Sequence, residues 1–331
     1  MARLAHRTLL ALVAVLGLWS CDARSASDRP PLTLERSIPL AGVKGRIDHL
    51  AVDLAHGRLF VAELGNGSVE AIDLASGRSL GRVGGLSEPQ GLGYIPERDE
   101  LAVATGGDGM LRFYRAADLA LVGTVKLGAD ADNVRIDRAT GRVVVGFGGG
   151  ALAVVDPATR RIVSQVPFPA HPEGFQLEGG RAYVNLPDAG RIDVVDIASG
   201  KQLATWPNGL LKFNFSLALD PSAGTLATVY RFPPSLALYD IATGARRQIL
   251  GACGDADDVF FDHRRKRIYV ICGSGAVDVL GVAGKGYARL DRIQTRSGAR
   301  TGFFAPQLDR LFVAARAGSS APAAILVYEP R

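Results

Sequence analysis

The acidic phrase Asp-Ala-Asp occurs twice, in GADADNVRID (128–137) and in GDADDVFFD (254–262), each time just ahead of an apolar run. Asp48-His49 likewise leads into an apolar run, LAVDL. Carboxylates that converge from separate segments bind hard cations, and a histidine added to them suits Zn²⁺, Mn²⁺ or Fe²⁺. The same residue types supply the metal ligands and general base of a hydrolase. They also serve humbler ends, capping backbone N–H groups in loops. The outcome depends on whether the fold brings them together.

The apolar runs recur with a period. The run GRLFVA is centred on Leu59, and its echoes are centred on Leu101, Val143, Ala182, Leu226, Ile268 and Leu311, in steps of 42, 42, 39, 44, 42 and 43 residues. Such a period marks a repeat architecture. Each unit holds four short apolar runs; in the first these are HLAVDL, RLFVAE, SVEAIDL and SLGRVGG. Gly65-Asn66-Gly67 separates the second from the third, supplying the positive φ of a tight hairpin. Ala75-Ser76-Gly77 separates the third from the fourth and returns as Ala198-Ser199-Gly200 and Ala242-Thr243-Gly244. Four antiparallel strands repeated radially specify an all-β, seven-bladed β-propeller. The last unit ends at its third run, ILVYEPR, while LTLERSIPLAG (32–42) matches fourth-run text such as LVGTVKLGAD (121–130). The N-terminal strand is therefore expected to complete the C-terminal blade and close the ring.

Phe60-Val61-Ala62, Tyr183-Val184-Asn185 and Tyr269-Val270-Ile271 are each followed by a glycine turn and then by text like VVDIASGK (194–201). This pattern resembles the YVTN repeats of bacterial YncE-like seven-bladed propellers over nearly all of the chain beyond its leader. The resemblance implies an exported protein and brings no reaction with it.

In a propeller the loops leading into the first strand of each blade line one mouth of the central channel. Aligning the units places there Asp48 and His49, Gln90, Asp132 and Asn133, Glu173, Asn214 (just before Phe215-Ser216), Asp257 and Asp258, and Arg300. Units three and six lie about 154° apart around seven blades. The two acidic phrases are thus expected to face one another across an acidic pocket, with Asp48, His49, Asp132 and Asp257 the candidate metal ligands. His171 is a second histidine at that end, whereas His56 and His263 fall in turns at the other. Arg300 and Arg135 either clamp an anion or balance the acids.

The formal charge is +5, and Arg3 and Arg7 belong to the leader. No dense basic run interleaved with aromatics accompanies this mild excess, so the composition does not argue for nucleic acid. RRKR (264–267) reads as a solvated turn. Nucleophile-elbow, H-E-x-x-H, P-loop and C-x-x-C-H patterns are absent from the sequence. MARLAHR followed by TLLALVAVLGLW (8–19) reads as a signal peptide within a leader spanning residues 1–25, ahead of a single domain over 26–331. Leu18-Trp19-Ser20-Cys21 resembles a lipobox, with Cys21 lipidated; cleavage after Ser25 is the rival. Either outcome exports the protein, to the periplasm or to a membrane-anchored state. Cys253 and Cys272 then remain, flanking one hairpin as a disulfide or as two free thiols.

The expectation is an exported, monomeric, non-enzymatic binding or scaffold protein. Its mouth would take a small molecule, a divalent metal ion or a segment of a partner protein, and membrane contact would come only through a lipid anchor. The alternative is a metal-assisted hydrolase or lactonase with its site at the same mouth.

Overall fold

The structure, a computed structural model, describes residues 29–319 and 321–331. The leader, with Cys21 and the cleavage sites weighed for it, lies outside the described residues. Among the described residues, twenty-eight strands, β1 to β28 in chain order, form seven four-stranded antiparallel sheets. The first strands of the blades are β2 (Leu50–Asp53), β6 (Pro89–Ile95), β10 (Val134–Ile136), β14 (Phe175–Glu178), β18 (Lys212–Asp220), β22 (Ala256–Asp262) and β26 (Gly302–Ala305). Six blades use four consecutive strands. The seventh combines β26 to β28 with β1 (Leu32–Pro39), which pairs with β28 (Ala324–Pro330) from Leu32↔Pro330 to Pro39↔Ala324. The ring closes as the fourth-run match predicts.

The burial pattern follows strand position. Second strands such as RLFVAE are buried along their whole length, because blades cover both of their faces. Fourth strands such as SLGRVG alternate, with one face to solvent. Seven apolar clusters fill the wedges between neighbouring blades, one per wedge. Burial in these wedges, at about 25 cal/mol per Å² of apolar surface, is the main force holding the ring together. Aspartates close the turns between third and fourth strands. Asp73, Asp156, Asp196 and Asp240 accept backbone N–H bonds from residues two or three places on, which is why the sequence repeats Asp ahead of Ala-Ser-Gly text.

RRKR does form the expected turn, but it is not simply solvated. Arg265 donates to Asp309 at 2.6 Å and 2.7 Å and to the Pro330 carbonyl at 2.9 Å, tying blade six to the closing blade.

Cys253 and Cys272 are joined in a disulfide, with Cα atoms 5.8 Å apart and both side chains buried. The bond fastens the loop leading into β22 to the end of the second strand of blade six. Closing a loop of this length in the unfolded chain is worth about 3 kcal/mol. The double variant Cys253→Ser/Cys272→Ser should therefore lose about 3 kcal/mol of unfolding free energy in urea titration, and an unchanged midpoint would refute the estimate.

Candidate functional site at the channel mouth

Two kinds of segment reach the mouth: the loops leading into first strands, and the hairpins between second and third strands, because antiparallel order returns the chain to the same end. The lead-in residues are held by the strand beside them. Asp48 donates its N–H to the Ala62 carbonyl at 2.8 Å, Asp132 to Gly146 at 2.9 Å, and Glu173 to Asn185 at 3.0 Å. In four blades the residue two places earlier is left-handed: Glu88, Asp130, Phe213 and Asp255 have φ between 52° and 61°. Close backbone approach matters too. A Cβ at Gly91 would lie 2.0 Å from the Asp132 carbonyl oxygen, so only glycine lets blades two and three come together there.

The result is one cavity of about 120 Å³. Asp48, His49, Gln90, Asp132, Asn133, Glu173 and Asp257 all line it, so seven of the ten expected site residues meet. Asp130, His171, Gly174, Ser216, Phe215, Arg46 and Arg231 complete the wall. The two acidic phrases do face one another across a single mouth.

Three expected members do not line it. Asn214 is fully buried inside the fold, donating to Asn185 Oδ1 at 2.8 Å and to the Arg191 carbonyl at 3.1 Å, and accepting from Asn208 at 2.7 Å. A register shift in β18 between Asn214 and Leu217 separates it from Phe215 and Ser216, which do reach the cavity. Asp258 is turned away by a similar shift in β22; it accepts the Gly302 N–H at 2.8 Å and joins blade six to blade seven. Arg300 stays on the rim, 2.8 Å from Asp255 and 4.0 Å from Asp257, balancing acids. Arg135 donates to the Val134 carbonyl at 2.8 Å and to Asn133 Oδ1 at 3.5 Å and stands over the Phe175 ring at 5.5 Å, behind the cavity wall rather than in it.

The charges are unevenly compensated. Asp257 Oδ1 accepts from Arg231 at 2.5 Å, and Arg46 lies 3.1 Å from Asp48 Oδ2. On the other side, Asp132 Oδ1 is buried with no hydrogen-bond partner among the described residues, and the nearest basic group is His49 Nε2 at 4.0 Å. Asp48 Oδ2 and Asp257 Oδ2 also lack a well-directed hydrogen bond. Burial, reinforced by the charges of Asp48 and Glu173, raises the Asp132 pKa well above the usual carboxylate range. Burial, then the charge of Asp257, pushes Glu173 up to about 7. Burial lowers the His49 pKa, so its ring is neutral near pH 7. Three ring-spaced carboxylates thus hold unused acceptor capacity around a void of a few heavy atoms.

His49 Nε2 lies 3.9 Å from Asp48 Oδ1 and 4.0 Å from Asp132 Oδ1, but no three of the four candidate metal ligands converge within 4.8 Å of one another. Among the described residues the only trio of carboxylate and imidazole donors within 4.8 Å of each other is Asp53, His56 and Asp99, in turns at the opposite end. Arg58 fills that cluster, donating to Asp53 at 2.7 Å and also to Asp99. The mouth as built is too open for a preformed first-row metal centre, whose donors sit about 2.0–2.2 Å from the ion.

Arg231 is the mouth residue that sequence reasoning missed. It lies near the end of β19 (Thr225–Phe232), on the hairpin of blade five rather than on a lead-in loop. No repeat text marks it, because the hairpin joins the second and third strands and falls outside the alignment of lead-in loops.

No family model matches this chain, and no curated protein matches it. Solved structures do. A chain of the mitotic checkpoint complex is similar at TM-score 0.78 and 16% identity, covering 99% of this chain and 98% of its own. The WD40 repeats of RRP9 are similar at TM-score 0.77 and 15% identity, over 89% and 97%. Hydrazine synthase of Kuenenia stuttgartiensis is similar at TM-score 0.71 and 15% identity, over 83% and 95%. At such identities the likeness carries the fold alone: a seven-bladed propeller.

Proposed function

We propose that this chain is an exported, non-enzymatic binding protein that holds a small cation at the carboxylate-lined mouth of its channel. The observation that carries the reading is Asp132, a cavity-lining carboxylate beside Asp48 and Glu173 whose buried Oδ1 has no donor among the described residues. A buried carboxylate without a partner costs free energy that a cation would recover. The export half of the reading rests on the basic-apolar leader and on Cys21 in its lipobox-like setting, with YVTN-like repeat text in agreement. The bound state is a monomer; its acidic mouth disfavours phosphate-rich partners.

The test is calorimetric titration of a cation panel, with Ca²⁺ and methylguanidinium as probes, at low salt. Saturable one-to-one binding of one of them, tighter at pH 8 than at pH 6, is the expected result. Absence of saturation by any cation up to millimolar concentration would reject the reading. Glu173, held at about 7, favours one alternative, the metal-assisted hydrolase or lactonase, in which it would serve as general base. Lactone hydrolysis abolished by a chelator would support that alternative instead.

A further inference from the structure

Arg231 belongs to blade five, yet its polar partners belong to blade six. Its guanidinium donates to Asp257 at 2.5 Å and to the Ala256 carbonyl at 3.3 Å, and it lies 3.3 Å from Asp255. Its central carbon stands 3.7 Å from the centre of the Phe215 ring. Phe215, Asp257 and Arg231 all line the mouth cavity. An aromatic face with a carboxylate at its edge is a recognition site for an organic cation, since the ring attracts a delocalised, weakly hydrated charge while the carboxylate fixes its direction. A strongly hydrated metal ion gains little from the ring face.

We propose that Arg231 is a resident stand-in for the ligand: the mouth selects a small organic cation with a guanidinium-like head, and the chain's own guanidinium occupies part of that site until the ligand displaces it. This rests on the reading of the mouth as a cation site and names its ligand class and its internal competitor. Three features support displacement rather than a fixed structural role. Arg231 is followed directly by the exposed turn Phe232-Pro233-Pro234 of its hairpin. It is itself partly exposed. Asp257 would not be abandoned when it leaves, because Arg46 and Arg300 remain 3.8 Å and 4.0 Å from the other carboxylate oxygen.

A site blocked by a resident group binds more weakly by the fraction of time it is open. Arg231→Gln should therefore tighten methylguanidinium binding about tenfold, with little change for Ca²⁺. Arg231→Lys, which keeps the charge but loses the planar stack, should fall between Gln and the parent chain. It also serves as the readout should the Gln variant prove unstable by thermal melt. Phe215→Leu in the Gln background should take back most of the gain. Unchanged or weaker methylguanidinium binding in both Arg231 variants would overturn the inference. Asp132→Asn distinguishes the two levels. If it abolishes binding while the Arg231 variants gain nothing, the cation site stands and the stand-in falls. If the Arg231 variants gain while Asp132→Asn binds like the parent, the stand-in survives and the ligand sits wholly on the Phe215–Asp257 side.

Discussion

Asp132→Asn should fold normally and weaken cation binding at the mouth about a hundredfold. Asparagine keeps the shape and removes the charge. Removing one partner of a buried, hydrogen-bonded charge pair costs about 2–5 kcal/mol, and a hundredfold is near the lower end of that range. Stability should not suffer. In the empty protein Asp132 is buried beside Asp48 and Glu173, with Oδ1 unpartnered. Asparagine reproduces the neutral state that burial favours for Asp132 without ligand, so no new burial cost arises, and the backbone bond from Asp132 N–H to Gly146 stays intact. Urea unfolding near pH 7 should show a variant about as stable as the parent, gaining on it only as the pH is raised enough to ionise Asp132. A variant that binds cations normally would remove Asp132 from the site. One that unfolds would show a structural role instead.

The empty protein should be more stable near pH 5 than at pH 8. Two glutamates hold protons in the fold that the unfolded chain has already released. Glu63 sits fully buried beside Glu70, with Arg82 shared between them at 3.1 Å and 2.6 Å. Burial, with the neighbouring Glu70, pushes its pKa from the ordinary 4.5 up to about 7. Glu173 is raised to about 7 at the mouth. Between about 4.5 and about 7 the folded state therefore binds more protons than the unfolded state, and stability falls as pH rises through that window. For Glu63 the difference amounts to roughly 3 kcal/mol; Glu173, less fully buried, adds a smaller share. Below pH 4 the sign reverses. Asp53, held below the ordinary range by bonds from Arg58 and His56 that outweigh its burial, loses its contribution as it protonates. Asp309, paired with Arg265, does the same. Calorimetric melts across pH 4 to 9 should peak near pH 5. A melting temperature that rises steadily to pH 8 would contradict both assignments.

The repeat made the fold readable, because seven apolar runs at one period admit few architectures. It also placed the mouth, since equivalent loops of equivalent units must share one end of the ring. Asp48, His49, Asp132 and Asp257 could be expected to meet on that argument alone, and they do. Orientation was less accessible. A single bulge reverses which way a side chain points, and bulges in β18 and β22 sent Asn214 into the blade interior and Asp258 toward blade seven. Arg231 was hidden for a different reason. It comes from the other set of segments at the same end, on a hairpin whose length is set by strand pairing rather than by the repeat. The metal ligand set meets only in pairs: His49 comes within 4.0 Å of Asp132 on another blade, but among the described residues no third donor joins them within one ion's reach.

The carboxylates that keep protons in the empty mouth are the groups proposed to hold the ligand. Calorimetric titration of methylguanidinium at pH 7, in two buffers of different ionisation enthalpy, measures this directly. Net release of protons on binding, with affinity tightening from pH 6 to pH 8, is the predicted result. Binding with no proton exchange and a flat pH profile would contradict it.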